Sequence, residues 1–173
     1  LLDKITDHPP HLSDDFEKAV QWYHLVAGQG RPDAQANLGV LYCGGVKGVP
    51  QDDKEAARWF RLSAEQGNAT GQLNLGIMYY MGKGVPEDIE EAARWFRLAA
   101  EQGKAEAQAN LGTMNYLGEG VPQDDVLSHM WLSLAVLQGD KDVSRLRDDL
   151  VEKMTPAQIA EAEKLAREWK PKK

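Results

Sequence analysis

The chain has 173 residues, with 27 acidic against 20 basic side chains and a formal charge of −7. An acidic balance without basic clusters argues against nucleic acid and anionic membrane surfaces as partners. No apolar run approaches the roughly 18 residues that a membrane helix needs, so no membrane insertion is expected. Cys43 is the single cysteine, which excludes an intramolecular disulfide and leaves the compartment undecided.

Residues 1–13, with His8-Pro9-Pro10-His11, read as an irregular lead-in. Two histidines flanking prolines are half a metal site at most, and no third ligand is near in sequence. No metal and no cofactor is expected. The chain starts at Leu1, which suggests that a signal peptide or further repeats precede it. From Asp14 to Gly30 the pattern is that of a helix whose Ala19, Trp22, Tyr23 and Ala27 match Ala56, Trp59, Phe60 and Ala64. Its own preceding helix is absent or degenerate.

Three full units follow, at 31–67, 68–103 and 104–139. Trp22, Trp59, Trp95 and Trp131 are spaced by 37, 36 and 36 residues, and Gly30, Gly67, Gly103 and Gly139 keep the same steps. Asn-Leu-Gly recurs at 37–39, 74–76 and 110–112, and Gly-Val-Pro at 48–50, 84–86 and 120–122. Such self-similarity marks a stack of supersecondary units. In the middle unit a first helix spans about 69–80, ended by Gly82 and Gly84 and barred from continuing by Pro86. A second helix opens at the N-cap Asp88, with Glu91 completing a capping box. Asp52 and Glu55 repeat the box, whereas Asp124 with Leu127 lacks its second half. Ala92, Trp95, Phe96 and Ala99 form an apolar stripe for a neighbouring helix. Gly39, Gly76 and Gly112 sit where helices are expected to approach closely. From Asp140 the period fades. Residues 142–153 suit an amphipathic helix, and Thr155-Pro156-Ala157-Gln158 starts another that runs to Trp169 as a polar-faced terminal cap. The tail 170–173 is expected to fray.

Leu75-Gly76-x-x-Tyr79, Gly82-x-Gly84-Val85-Pro86-x-Asp88, Ala92-Ala93-x-Trp95-Phe96 and Ala99-Ala100-x-x-Gly103 together resemble the Sel1-like repeat, a subfamily of the tetratricopeptide superfamily. The resemblance covers about residues 14–139. Asn115 replaces the usual Tyr, and 127–130 replace the usual Glu-Ala-Ala-Arg. It implies an all-α, right-handed α/α superhelical solenoid of antiparallel helix pairs. On this reading 1–173 is a single solenoid: 1–30 lead-in and half repeat, repeats at 31–67, 68–103 and 104–139, and capping helices at 140–173. It also implies a bacterial protein, cytoplasmic, periplasmic or secreted, that acts as a protein-binding adaptor.

On a wheel at about 100° per residue, Leu75, Gly76 and Tyr79 share the packing side of their helix. Thr70, Leu73, Asn74, Ile77, Tyr80 and Met81 fall on another arc. Equivalent positions are Asp33, Ala36, Asn37, Val40, Cys43 and Gly44 before it, and Glu106, Ala109, Asn110, Thr113, Tyr116 and Leu117 after it. The resemblance makes this arc the lining of a concave groove. An amide side chain both donates and accepts, so Asn37, Asn74 and Asn110 suit the backbone of an extended peptide. They equally suit bonds to an adjacent helix that orient the stack. Leu73, Ile77, Tyr80, Met81, Thr113, Tyr116 and Leu117 complete the expected contact set, with ordinary inter-repeat packing as the other reading of Tyr80, Met81, Tyr116 and Leu117.

No catalytic constellation is present in the sequence. Ser13, Ser63, Ser128, Ser133 and Ser144 all lack Lys at plus three, which excludes the Ser-x-x-Lys nucleophile that a β-lactamase label on some relatives would require. His-Glu-x-x-His and phosphate-loop motifs are absent. Asp52-Asp53 and Asp124-Asp125 sit at helix starts, where capping and the dipole account for them. The sequence therefore points to a monomeric, non-catalytic scaffold for a protein or peptide. The alternatives are a spacer in a longer polypeptide and a hydrolase whose site is not visible.

Overall fold

A computed structural model describes residues 16–45 and 48–172. The lead-in 1–13, with its two histidines, lies outside the described residues, as do 46–47 of the loop insertion. Among the described residues the regular structure is helical, apart from a single bridge residue at Val49. The helices are α1 (Phe16–Gly28), α2 (Pro32–Gly44), α3 (Asp53–Glu65), α4 (Ala69–Met81), α5 (Ile89–Glu101), α6 (Ala105–Leu117), α7 (Asp125–Leu137), α8 (Ser144–Val151) and α9 (Pro156–Glu168). They belong to two compact units, Leu1–Pro86 with α1–α4 and Glu87–Lys173 with α5–α9.

In unit 1 each helix packs on the next, and α2 also packs against α4. Tyr23, Val26, Ala27, Ala34, Leu38 and Trp59 form one buried cluster, so α1, α2 and α3 share a core that none could make alone. The crossing of α2 and α3 depends on Gly39, where a Cβ would stand 2.6 Å from the Phe60 ring. Gly112 has the same role in unit 2, with a Cβ 2.8 Å from Leu132 Cγ. The expected close approach is therefore present at both positions. Helix propensity is sacrificed there by roughly 1 kcal/mol for contact between helices.

The glycine loops are positioned by the same logic. Gly84 has φ +69, and a Cβ there would run into the Asp53 carbonyl. Gly120, with φ +64, lies against Ile89 in the same way. Each loop thus rests on the start of the long-stripe helix one hairpin earlier in its own unit. The starts of α3, α5 and α7 are capped by Asp52, which accepts from the Lys54 and Glu55 amides, by Asp88, which accepts from the Glu91 amide, and by Asp124, which accepts from the Leu127 amide.

The reciprocal half of the capping box is a correction. Glu55 and Glu91 turn away from the N-cap amides and accept from Arg58 and Arg94, at 3.1 and 2.9 Å. The arginines also lie over Trp59 and Trp95, 5.0 and 5.2 Å from the ring centroids. A cation held over an indole competes for the carboxylate that would otherwise fold back. The complete box forms at Thr155 and Gln158, opening α9 as expected.

In unit 2 the cap is built on α7, against which both α8 and α9 pack. Leu150, Met154 and Ala162 make its core, with Tyr116, Val126 and Ile159 at the edge. The helix expected over 142–153 is shorter, Ser144–Val151. The segment after α9 does not fray as expected. Lys172 N donates to the Glu101 carbonyl at 2.8 Å, and Trp169 meets Trp131 edge-on at 6.3 Å.

Trp59, Trp95 and Trp131 are each less than a tenth exposed. The indole N–H groups of Trp59 and Trp95 are buried without a partner, so these rings act as apolar wedges. Replacing Trp95 by Ala is expected to cost about 3–5 kcal/mol, as large-to-small core changes do. Chemical denaturation would measure it, and an unchanged midpoint would contradict a packing role.

Candidate interaction surface

Two series of amides recur along the first helices of the hairpins, and the structure treats them differently. The glutamine series was not anticipated from the sequence. Gln35, Gln72 and Gln108 are buried. Their Nε2 groups donate to the carbonyls of Ala27, Ala64 and Ala100 near the end of the preceding helix, at 3.2, 3.3 and 3.1 Å. Gln66 Nε2 donates to Gln35 Oε1 at 2.7 Å, and Gln138 Nε2 to Gln108 Oε1 at 2.8 Å. Gln35 and Gln108 are thus satisfied at both ends, which is what burial of a polar group requires. The available signal was the recurrence of Gln two residues before each Asn.

The asparagine series lies at the surface. Asn37 on α2 is exposed, and Asn74 on α4 and Asn110 on α6 are half-buried. Asn74 Nδ2 donates to the Thr70 carbonyl, 2.8 Å away in its own helix. That bond ties no second helix. Neither Asn37 nor Asn110 makes a side-chain hydrogen bond to another described residue.

The rest of the expected set divides by exposure. Tyr80, Met81 and Leu117 are exposed by 43, 53 and 51%. Ile77, Thr113 and Tyr116 are half-buried. Thr113 Oγ1 donates back to Ala109 O at 3.0 Å. The Tyr116 hydroxyl accepts from Lys153 Nζ, and its ring edges the α8–α9 cluster. Leu73 is corrected from surface to core, at 3% exposure. The reason is geometric. At about 100° per residue Leu73 lies only about 60° from Gly76, on the flank of the buried face. Ala36 and Ala109 are buried by the same relation to Gly39 and Gly112. In unit 1, then, Asn37, Asn74, Ile77, Tyr80 and Met81 lie on the two packed helices α2 and α4. In unit 2, Asn110, Thr113 and Leu117 lie on α6.

The described serines are largely engaged. Ser63 Oγ donates to Pro32 O at 2.7 Å, and Ser128 Oγ to Gly112 O at 2.8 Å, both buried and both tying hairpin helices together. Ser133 Oγ lies 3.5 Å from His129 Nδ1 on the same helix, at the limit of hydrogen bonding. No cluster of three or more potential metal ligands occurs among the described residues. Nor is any described helix long and apolar enough to cross a membrane.

The Sel1 repeat matches residues 10–30, 32–68, 69–104 and 105–140, most of the chain. The chain belongs to the Sel1-repeat family, with an all-α helical-repeat fold. It is similar to a protective antigen of uropathogenic Escherichia coli strains displaying an SLR fold, at 30% identity and TM-score 0.64 over 91% of this chain and 41% of that one. It is also similar to a Sel1 repeat protein from Oxalobacter formigenes, at 34% identity and TM-score 0.68 over 72% of this chain and 51% of that one. The chain thus spans about half or less of the length of these solved relatives. No curated protein matches it. Sel1-repeat proteins generally mediate protein–protein interactions and are typically non-catalytic scaffolds.

The histidine buried beneath the cap gives unit 2 a pH dependence. His129 is 5% exposed. Burial holds its pKa below the usual 6.5, Arg147 lowers it further, and Glu163 and Asp148 oppose the shift. The neutral ring is therefore the folded form. Its stability is intact above the unfolded-state value of 6.5 and is lost as pH falls from there towards the depressed folded value. Comparing melts of the wild type and His129→Gln between about pH 7 and 5 should show the wild type losing more stability on acidification. Parallel losses in the two proteins would contradict this.

Proposed function

We propose that the chain is a non-catalytic scaffold that holds an extended segment of a protein partner against the exposed face of α2 and α4 in unit 1, and that α6 in unit 2 offers the same chemistry on its own. The observation that carries this reading is the contrast between the two amide series. The glutamines are buried and satisfied by the fold, while Asn37 and Asn110 hold donors and acceptors that no other described side chain or backbone group uses. A polar group that the fold does not need is available to a ligand backbone. Beside the asparagines stand Tyr80 and Met81 in unit 1 and Leu117 in unit 2, all exposed. Tyrosine anchors interfaces at low entropic cost, and methionine adapts to irregular shapes. Backbone recognition through amides gives affinity with little sequence selection, and the apolar neighbours supply the selection.

Affinity capture from a native lysate tests this with three baits: the wild type, Asn37→Ala with Asn74→Ala, and Arg58→Ala as a control on α3. The double variant is expected to melt like the wild type and to lose its captured partner about tenfold or more, the loss of one to two interfacial hydrogen bonds. The control retains the partner. Equal capture by the double variant would contradict the reading.

A further inference from the structure

The segment 169–172 is not helical, yet it is held at four points. Trp169 leaves α9 with φ −63 and ψ 138, an extended conformation suited to the Lys170-Pro171 step that follows. Its ring meets Trp131 edge-on, with an interplanar angle of 74°. Trp169 and Pro171 ride over Gly103, the turn residue after α5, at 3.5 and 3.8 Å from where a Cβ would stand. The Lys172 amide donates to the Glu101 carbonyl at 2.8 Å, and its Nζ pairs with the Glu101 carboxylate at 2.9 Å.

The receiving surface is built for this occupant. The Glu101 carbonyl is one of the last four of α5, which no amide within the helix can satisfy. The C-terminal end of a helix carries partial negative charge, and the Glu101 carboxylate adds a full one, so a lysine is favoured. Gly103 has φ +90, which favours glycine and keeps the turn free of a side chain, so that the edge of an aromatic ring and a proline approach it. Unit 1 has two corresponding turns: Glu65-Gln66-Gly67 keeps the glutamate and Gly28-Gln29-Gly30 has glycine in its place, and nothing lies within 4 Å of a Cβ at Gly67, Gly28 or Gly30. The carboxylate by itself therefore does not bring a cover; in unit 2 the segment 169–172 supplies the ring and the proline over Gly103 and the ammonium at Glu101.

We infer that the turn formed by Glu101, Gly103 and Trp131 is a peptide-docking site for an extended aromatic-x-Pro-Lys segment, which residues 169–172 fill in cis. The occupant in trans is a segment of a partner protein with that same chemistry. It recognises an aromatic ring on Trp131, a proline on Gly103, one main-chain N–H at the Glu101 carbonyl and one ammonium at its carboxylate. This is extended-proline recognition, with a helix end supplying the polar contacts. The site is independent of the asparagine-bearing faces, so either proposal can fail without the other.

The probe is a fluorescein-labelled peptide, Glu-Trp-Lys-Pro-Lys-Lys, titrated by anisotropy into the full chain. A tethered segment competes at an effective concentration in the millimolar range. The wild type is therefore expected to bind weakly. Trp169→Ala and, separately, Lys172→Glu should each tighten binding about tenfold or more by releasing the resident segment. Adding Glu101→Lys to either should abolish that gain. Circular dichroism confirms that each variant stays folded, and the Lys172→Glu chain keeps Trp169 in place should Trp169→Ala unfold. Failure of both folded variants to bind more tightly than the wild type, or binding indifferent to Glu101→Lys, would overturn the assignment.

Discussion

The contact on which the other features depend is the close crossing of the two helices in a hairpin. A hairpin of this length has more apolar surface than it can cover by itself. It must bring backbones near enough for Phe60 or Leu132 to lie directly on a glycine of the facing helix. A buried serine then fastens that crossing, Ser128 to the Gly112 carbonyl and Ser63 to the carbonyl of Pro32. With the glycine face and its flank committed to packing, the leucine or alanine three residues before the glycine is drawn into the core. The asparagine next to it is turned out. The same constraint that builds the stack therefore selects which side chains remain at the surface.

Two amides, two residues apart in sequence, illustrate this division. Gln35 is inside, spanning from Ala27 O to the Gln66 side chain, and Asn37 is outside. Glutamine has the extra methylene needed to reach the carbonyl of the preceding helix. The asparagine two residues on points about 200° round the helix from it, and Asn74 bonds back to its own helix. A repeat can thus keep one polar residue for architecture and a neighbouring one for recognition. Exchanging a partner would then require changes only on the outer series.

Much of the fold was legible because its signals are local and repeated. The tryptophan and glycine spacing placed the hairpins, aspartates placed the helix starts, and Thr155-Pro156 placed α9. What was not legible depended on competition between side chains from different elements. Glu91 had two possible partners, the N-cap amide and Arg94, and only the position of Trp95 beneath the arginine settles the choice. Leu73 looks surface-facing on a wheel because a wheel gives direction and not the breadth of the neighbour that covers it. The docking of 169–172 on Glu101 joins residues some seventy positions apart, and a short Lys-Pro-Lys sequence carries no local sign of it. Of the candidate site, periodicity put Tyr80, Met81 and Leu117 on one arc but left open whether that arc packs between repeats. The separation of glutamine from asparagine did not follow from it.

A paired comparison of Gln35→Ala and Asn37→Ala in equilibrium urea unfolding puts the central claim at risk most directly. Gln35→Ala is expected to lose about 1–3 kcal/mol, because Gln66 and the Ala27 carbonyl are left without their partner. Asn37→Ala should unfold within about 0.5 kcal/mol of the wild type, as surface substitutions do. Equal losses, or a larger loss at Asn37, would mean that the outer amide belongs to the architecture and is not held in reserve for a partner.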